Sequence, residues 1–402
     1  MEMMEDINTR SAVLQISGAV SWPGNCYWGP SAVRQVIEAA ESRLRRPLVI
    51  TDPGAWRASS AVVQAALAAR SIQDWQVFEG VVANPSLAEV REALRMARHS
   101  GCVSIIAVGG GSVIDVAKVV FGCLCSGLES EELAAPRGQA WLDGPVRPDA
   151  PLLLAIPTTS GTGSESSSAA LIQGDDGRKH MYRSLRTRPA LVALQPDLTL
   201  NLPMRPTAQG GFDALLHALG ALVNTDCNPI GKAIALHALH ACMQALPLVL
   251  EKPENLAART EMQMGAYLAG VAIGISKVDA VHAMCTPLES VADMAHAEVL
   301  APVFRVVSRY TVQTHASVYA NTARHLNIAG TGDDHRGAQA LIERVEQLAR
   351  QANISLYLTN LQLSEQQAGQ LATQAVQSAS MPLNPRRLSH EEIKSLYLQM
   401  GN

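Results

Sequence analysis

The chain has 402 residues, 48% of them hydrophobic, which is enough for two domains with substantial cores. Its formal net charge of −4 invites neither nucleic acid nor an anionic membrane surface. The seven scattered cysteines show no metal-knuckle or disulfide spacing, which points to a reducing cytoplasm.

Taken in chain order, residues 1–10 are acidic and lack the apolar core of a signal peptide. Arg43, Arg45 and Arg46 read as the solvated end of a helix. The run PLVIT at 47–51 is a strand candidate that ends at Asp52, and further candidates follow at 75–78, 103–108 (VSIIAV) and 152–156 (LLLAI). Helical patterns lie between them, at 60–69 and 87–97. This alternation predicts a parallel, doubly wound sheet. Beyond about residue 202, apolar residues recur at helical spacing through 214–223, 232–246, 257–275, 299–309 and 337–352, and strand signals become scarce. The expected organisation is an α/β nucleotide-binding domain over 1–199 and an all-α metal- and substrate-binding domain over 200–402. The longest uncharged stretch, 233–250, reads as a buried helix that stops at Pro247 rather than a membrane span.

Two turns suit an anionic ligand. The strand at 103–108 runs into Gly109-Gly110-Gly111-Ser112 and then the helical run 113–120. Glycines let the backbone approach a ligand, and a helix N-terminus offers free N–H groups to an anion. Ser112 with Asp115 also fits a helix-capping pattern. The fingerprint G-x-G-x-x-G is absent, so this is not a standard Rossmann loop. The next strand leads into Pro157-Thr158-Thr159-Ser160-Gly161-Thr162-Gly163-Ser164-Glu165, a surface of hydroxyls and glycines. Two such loops at the C-terminal ends of strands favour a nucleotide site. Asp52 can accept hydrogen bonds from a ribose diol and would repel a 2′-phosphate, which favours NAD(H) over NADP(H). Asp52-Pro53-Gly54 is equally compatible with an ordinary turn.

Asp213 and His217 are four apart and share one face of a helix, with Cβ atoms roughly 6 Å apart. His282 and His296 are fourteen apart, roughly 21 Å along a straight helix, too far to share an ion. Pro287 lies between them and can break the helix so that the chain folds back. One aspartate and three histidines form a mixed oxygen and nitrogen set that suits Fe²⁺ or Zn²⁺. On spacing alone, each lone histidine reads more readily as a satisfied core or surface group than as a ligand.

TDPG at 51–54, Asn84-Pro85, GGGSVIDVAK at 109–118, PTTSGTGSE at 157–165, GFDALLHAL at 211–219, VHAMCTPL at 281–288 and Asn384-Pro385-Arg386 follow one another along nearly the whole chain. In this order they resemble the iron-containing (group III) alcohol dehydrogenases, relatives of glycerol dehydrogenase and dehydroquinate synthase. The resemblance implies a dehydroquinate synthase-like fold with a cleft between its two halves. It implies Asp213, His217, His282 and His296 as metal ligands. It also implies cofactor contacts at Asp52, Asn84, Gly110, Gly111, Ser112, Asp115, Thr158, Thr159, Thr162 and Lys179. The activity implied is hydride transfer between the nicotinamide and a short-chain alcohol or aldehyde, with the metal as Lewis acid. Homodimers or larger assemblies are expected from the same resemblance.

The pattern is broken in places. Thr286 stands where many members carry a further histidine, Glu289 replaces a glycine, and His296 is flanked by Ala295 and Ala297 instead of proline and glycine. Ser276-Lys277 precedes the third ligand and looks like the version in members that reduce phosphonoacetaldehyde-like aldehydes. Lys277 would then contact a substrate anion, or else form a salt bridge with Asp279 or another carboxylate. Arg178, Lys179, Arg183, Arg186 and Arg188 form a second basic cluster, which reads most simply as a solvated hairpin or loop. The alternatives are a maleylacetate- or hydroxybutyrate-type oxidoreductase, a dehydroquinate synthase-like lyase, and a non-catalytic or filament-forming relative.

Overall fold

A computed structural model describes residues 23–128, 133, 152–292, 294–330, 332–358 and 361–401. The acidic stretch 1–10 lies outside them. Six parallel strands form the main sheet: β1 (Asn25–Trp28), β2 (Pro47–Thr51), β3 (Gln76–Phe78), β4 (Ser104–Gly109), β5 (Leu152–Pro157) and β8 (Leu191–Leu194). Their spatial order is β1-β8-β5-β4-β2-β3. Helices α1 (Ala32–Ala40), α2 (Pro53–Ala68), α3 (Leu87–His99) and α4 (Gly111–Ser126) cover its two faces.

The strands are apolar throughout because both faces are buried. Leu48, Ile50, Ile105 and Leu153 pack into the core beneath α3 and α4. Val49, Ile106 and Leu154 point the other way, into the core with α1 and α2. From β2 the chain steps outward to β3 and then returns to the other side of β2 as β4. That reversal opens a crevice outside the carboxyl ends of β2 and β4, where doubly wound sheets bind ligands.

Three features of this half differ from the expectation. The strands β1 and β8 are short, at four residues each, and leave little pattern to read. A separate antiparallel pair, β6 (Ala169–Gln173) and β7 (Lys179–Arg183), carries the second basic cluster. It is a hairpin, but Arg183 and Arg188 near its end are half-buried rather than solvated.

The remaining helices are α5 (Met204–Val223), α6 (Pro229–Glu251), α7 (Leu256–Ser276), α8 (Ala280–Ala292), α9 (His296–His325), α10 (Asp334–Gln351), α11 (Glu365–Val376) and α12 (His390–Leu398). They share one large core built on residues such as Phe212, Leu246, Met284 and Phe304. By length and composition α6 could cross a bilayer, but half of its most apolar window is buried inside the fold. It does not stop at Pro247 as expected; it runs on to Glu251. A proline so near the end removes one backbone donor, while buried Leu246 and Val249 hold the last turn in place.

Candidate active site

The crevice is a cavity of about 970 Å³ bounded by the ends of four parallel strands and by the helical half. Its sheet side is built by local sequence. After β2, Asp52 caps α2, its Oδ1 accepting from the N–H groups of Gly54 and Ala55, both at 2.9 Å. The same residue lines the cavity. After β4, Gly110 starts α4 with no side-chain cap, so the first N–H groups of that helix remain available to an anion. Ser112 therefore sits inside the first turn instead of capping it. Thr158, Thr159 and Thr162, in the loop after the neighbouring strand β5, line the same cavity.

Glycine brings these loops together. A Cβ on Gly111 would lie 2.7 Å from the Thr162 side chain. Gly161 and Gly163 do something the sequence did not suggest: they meet the helical half. Cβ atoms on them would lie 2.7 Å from Gly210 and 2.5 Å from Gly270.

Beneath the loops, Lys118 is fully buried and donates to Ser164 Oγ at 2.7 Å, Ser167 Oγ at 3.1 Å and the Ala169 carbonyl at 2.7 Å. Asp115 accepts from Ser164 Oγ at 2.5 Å and from the Leu171 N–H at 2.8 Å. Asp115 is thus a bracket between α4 and β6, and it is not among the residues that line the cavity. The physical reason is helical geometry: one turn beyond Gly111, it faces the hairpin. Burial pushes Lys118 down to about 8 and Glu165 up to about 7.

On the opposite side, one turn of α5 aligns Asp213 and His217, and both are buried. His282 comes from α8 and His296 opens α9. Pro287 does not break α8, which continues to Ala292, and a separate helix begins at His296. The two histidine rings still come within 5.9 Å between centroids, without a break at the proline. Asp213 Oδ1 lies 3.6 Å from His217 Nε2, 3.8 Å from His282 Nε2 and 3.4 Å from His296 Nε2. The His217 and His282 rings stack, 4.7 Å between centroids.

These separations are too long for good hydrogen bonds. They match the edges of a tetrahedron of donors about 2.1 Å from a central ion, roughly 3.4 Å apart. Asp213 Oδ1 and His282 Nε2 are buried with no hydrogen-bond partner. Buried orphans of this kind cost about 1–3 kcal/mol each, so two of them within a cluster of four converging metal-ligating groups fit a bound cation. Burial opposes charge on Asp213, but His217, His296 and His282 outweigh it and hold the carboxyl well below 3.8. Burial also pushes His217 down to about 4, leaving the neutral, ligating form at neutral pH. Asp213 and His296 line the cavity directly.

Four expected residues are absent from the cavity wall. Asn84 is exposed, with φ +54, just beyond the lining run Val81, Val82 and Ala83. Asp115 is the bracket described above. Lys179 donates to Glu289 at 2.7 Å. Lys277 ends α7 with φ 66 and ψ −167, and its ammonium has no ion-pair or hydrogen-bond partner among the described residues. It does not pair with Asp279, which caps the Val281 N–H and faces His282 Nδ1 at 3.8 Å. Thr286 is exposed and donates to the His282 carbonyl at 3.4 Å.

Glu289 has more to do than its sequence reading allowed. It is nearly buried and accepts from His296 Nδ1 and from Lys179. Burial alone would raise its carboxyl, but the hydrogen bond and charge of His296, with the Lys179 ammonium, hold it at about 2. The available signal was its position seven residues after His282, two turns along the same helix face.

Two family models match the chain, iron-containing alcohol dehydrogenase over residues 23–196 and the C-terminal region of the same family over 207–401. The 1,3-propanediol dehydrogenase of Citrobacter freundii is 28% identical over 382 residues, 94% of this chain and 97% of that protein. The 4-hydroxybutyrate dehydrogenase of Cupriavidus necator is 35% identical over 251 residues, 61% of this chain and 63% of that protein. A crystal structure of a 1,3-propanediol oxidoreductase superposes with a TM-score of 0.86 at 27% identity, covering 95% of this chain and 100% of that one.

Proposed function

The chain belongs to the iron-containing alcohol dehydrogenase family, and we propose that it uses Asp213, His217, His282 and His296 to hold the metal with which it interconverts a short-chain alcohol and its aldehyde. It is a metal-dependent, nicotinamide-linked alcohol dehydrogenase, an oxidoreductase rather than a lyase of related fold. The observation that carries the ligand assignment is the convergence of three imidazole Nε2 atoms on one buried, unpartnered carboxylate oxygen. Asp213, His217, His282 and His296 would hold a divalent ion, which would supply Lewis-acid polarisation of the substrate oxygen, and a nicotinamide cofactor in the cavity would carry the hydride.

The residues of the chain do the rest. The free N–H groups at Gly110, Gly111 and Ser112 suit a pyrophosphate. The hydroxyls of Thr158, Thr159 and Thr162 suit the remaining polar edge of the cofactor. Asp52, fixed by its own cap at the end of β2, favours a ribose diol and NAD(H). The oxygen and nitrogen donor set suits Fe²⁺ or Zn²⁺. The boundary near residue 200 would divide the nucleotide half from the metal half. The seven free cysteines support a reducing cytoplasm, and Trp28, 66% exposed on the edge strand β1, supports a homo-oligomer.

Within this class we favour a substrate with a carboxylate or similar anion. Two features support it: the ammonium of Lys277, which lies outside the cavity lining but is unpaired among the described residues, five residues before His282, and the 35% identity to a 4-hydroxybutyrate dehydrogenase over 251 residues. The test is NADH and NADPH oxidation by the anaerobic, Fe²⁺- or Zn²⁺-loaded protein against short aldehydes, half of them neutral and half anionic. Turnover confined to the anionic aldehydes, with KM raised in Lys277→Ala, is expected. Equal turnover of neutral aldehydes, unaffected by that substitution, would reject the anionic reading and leave the dehydrogenase assignment standing.

A further inference from the structure

Glu289 stands behind the proposed metal site. Its side chain is 7% exposed. Oε1 accepts the Nδ1 proton of His296 and the Cys285 thiol at 3.5 Å, and Oε2 accepts from Lys179 Nζ at 2.7 Å. The other nitrogen of the same imidazole, Nε2, faces Asp213 Oδ1 at 3.4 Å. An imidazole that donates through one nitrogen presents a lone pair at the other. His282 repeats the arrangement at longer range, with Asp279 3.8 Å from its Nδ1.

We propose that Glu289 is a positioning residue for the metal, and that Lys179 is its counter-ion. The proposal rests on the ligand assignment above. The carboxylate locks His296 in the tautomer that turns Nε2 toward Asp213, His217 and His282, fixes the ring, and raises its basicity as a ligand. A second buried carboxylate beside Asp213 would cost solvation free energy without a cation of its own. The Lys179 ammonium meets that need. It comes from β7 on the nucleotide half, whereas Glu289 sits on α8 of the helical half. The ion pair therefore crosses from one half to the other at the metal-ligating histidine. Lys179 acts on the site through Glu289 and does not touch the reacting atoms.

Cys285, Glu289 and His296 Nδ1 also lie close enough together to hold a cation of their own. The geometry argues against that use. An ammonium already sits 2.7 Å from the same carboxylate, and Nδ1 donates its proton instead of offering a lone pair.

The test is anaerobic titration of the full chain with Fe²⁺, Zn²⁺ and Co²⁺ against a competing chelator. Bound metal is counted per chain, and the thermal midpoint of each metal-free variant serves as a folding control. Wild type is expected to hold one ion and His282→Ala none. Glu289→Ala should weaken metal affinity about 10- to 100-fold, the usual cost of removing such a partner. Glu289→Gln, which keeps an acceptor but no charge, should fall between. Lys179→Met should weaken affinity in the wild-type background and have no effect in Glu289→Gln. Wild-type affinity in a folded Glu289→Ala variant overturns the proposal while leaving the ligand assignment intact. Two ions in wild type, one lost in Cys285→Ala, would overturn it in favour of a separate cation site. No ion in wild type, or full binding in His282→Ala, would overturn the ligand assignment itself, and the proposal with it.

Discussion

Gly163 and Gly270 lie back to back: a Cβ on Gly163 would sit 2.5 Å from the Gly270 Cα, and one on Gly270 would sit 2.3 Å from Ser166 Oγ. The loop that lines the cavity thereby rests directly on helix α7 of the other half. Gly270→Ala should lower the thermal midpoint by several degrees, because overpacking against backbone costs about 1–3 kcal/mol. Gly163→Ala should cost more, since its φ of +64 strains any side chain in addition to the clash. Melting curves of both variants check this; an unchanged midpoint for Gly270→Ala would mean the loop moves aside freely.

The metal site predicts a sharp loss on deleting one ligand. Asp213→Asn and His282→Ala should each lower kcat/KM about a thousandfold or more. Lewis-acid stabilisation is worth several kcal/mol, at about 1.4 kcal/mol per tenfold. Chelation of the wild type should abolish turnover, and added Fe²⁺ or Zn²⁺ should restore it. Steady-state kinetics alongside elemental analysis provide the check.

Lys118 and Glu165 predict opposite pH dependences of stability. Glu165 is raised from 4.5 to about 7 in the fold. Its contribution is fully present below pH 4.5 and is lost as pH rises to about 7. The difference in stability between wild type and Glu165→Gln should therefore fall across that window, by an amount on the order of 3 kcal/mol. Lys118 is lowered from 10.5 to about 8. Its contribution is present above pH 10.5 and is lost as pH falls to about 8, so relative to Lys118→Met the wild type should gain stability as pH rises through that interval. Denaturant midpoints measured in steps of pH decide both; a flat profile for Glu165→Gln relative to wild type would refute the first.

Asp52 predicts the cofactor preference. Asp52→Asn keeps an oxygen for the α2 cap and removes the charge. The ratio of kcat/KM for NADPH over NADH should rise, since the substitution removes a negative charge that would repel a 2′-phosphate beside the ribose diol. Asp52→Ala should shift the ratio similarly and also lose about 1 kcal/mol of helix capping. Initial rates with both cofactors test the first, and thermal melts the second.

Lys277 holds a backbone conformation that belongs almost entirely to glycine, φ 66 and ψ −167. Such strain costs on the order of 1–3 kcal/mol. Lys277→Gly should raise the thermal midpoint, despite the extra chain entropy of glycine, and at the same time raise KM for anionic aldehydes. A stabilised variant with unchanged KM would make the strain a packing consequence with no role in binding.

Much of this architecture is legible in sequence because its causes are local. PLVIT announces β2 through five consecutive residues buried on both faces. The glycines at 109–111 announce a close turn before a helix, and the four-residue spacing of Asp213 and His217 puts both on one helical face. What local pattern could not decide is which distant side chains meet. His282 and His296 reach Asp213 from two separate helices, α8 running through Pro287 to Ala292 and α9 starting at His296, whereas the proline itself suggested an earlier break. Asp115 reads as part of a nucleotide loop, yet the hairpin packed on α4 claims its carboxylate. Lys179 reads as a cofactor contact, and the fold also brings its ammonium to Glu289 across the two halves. Spacing along a chain sets which residues share a face of one element. The partners of that face are set by how elements pack, and that depends on volume and burial summed over the whole core.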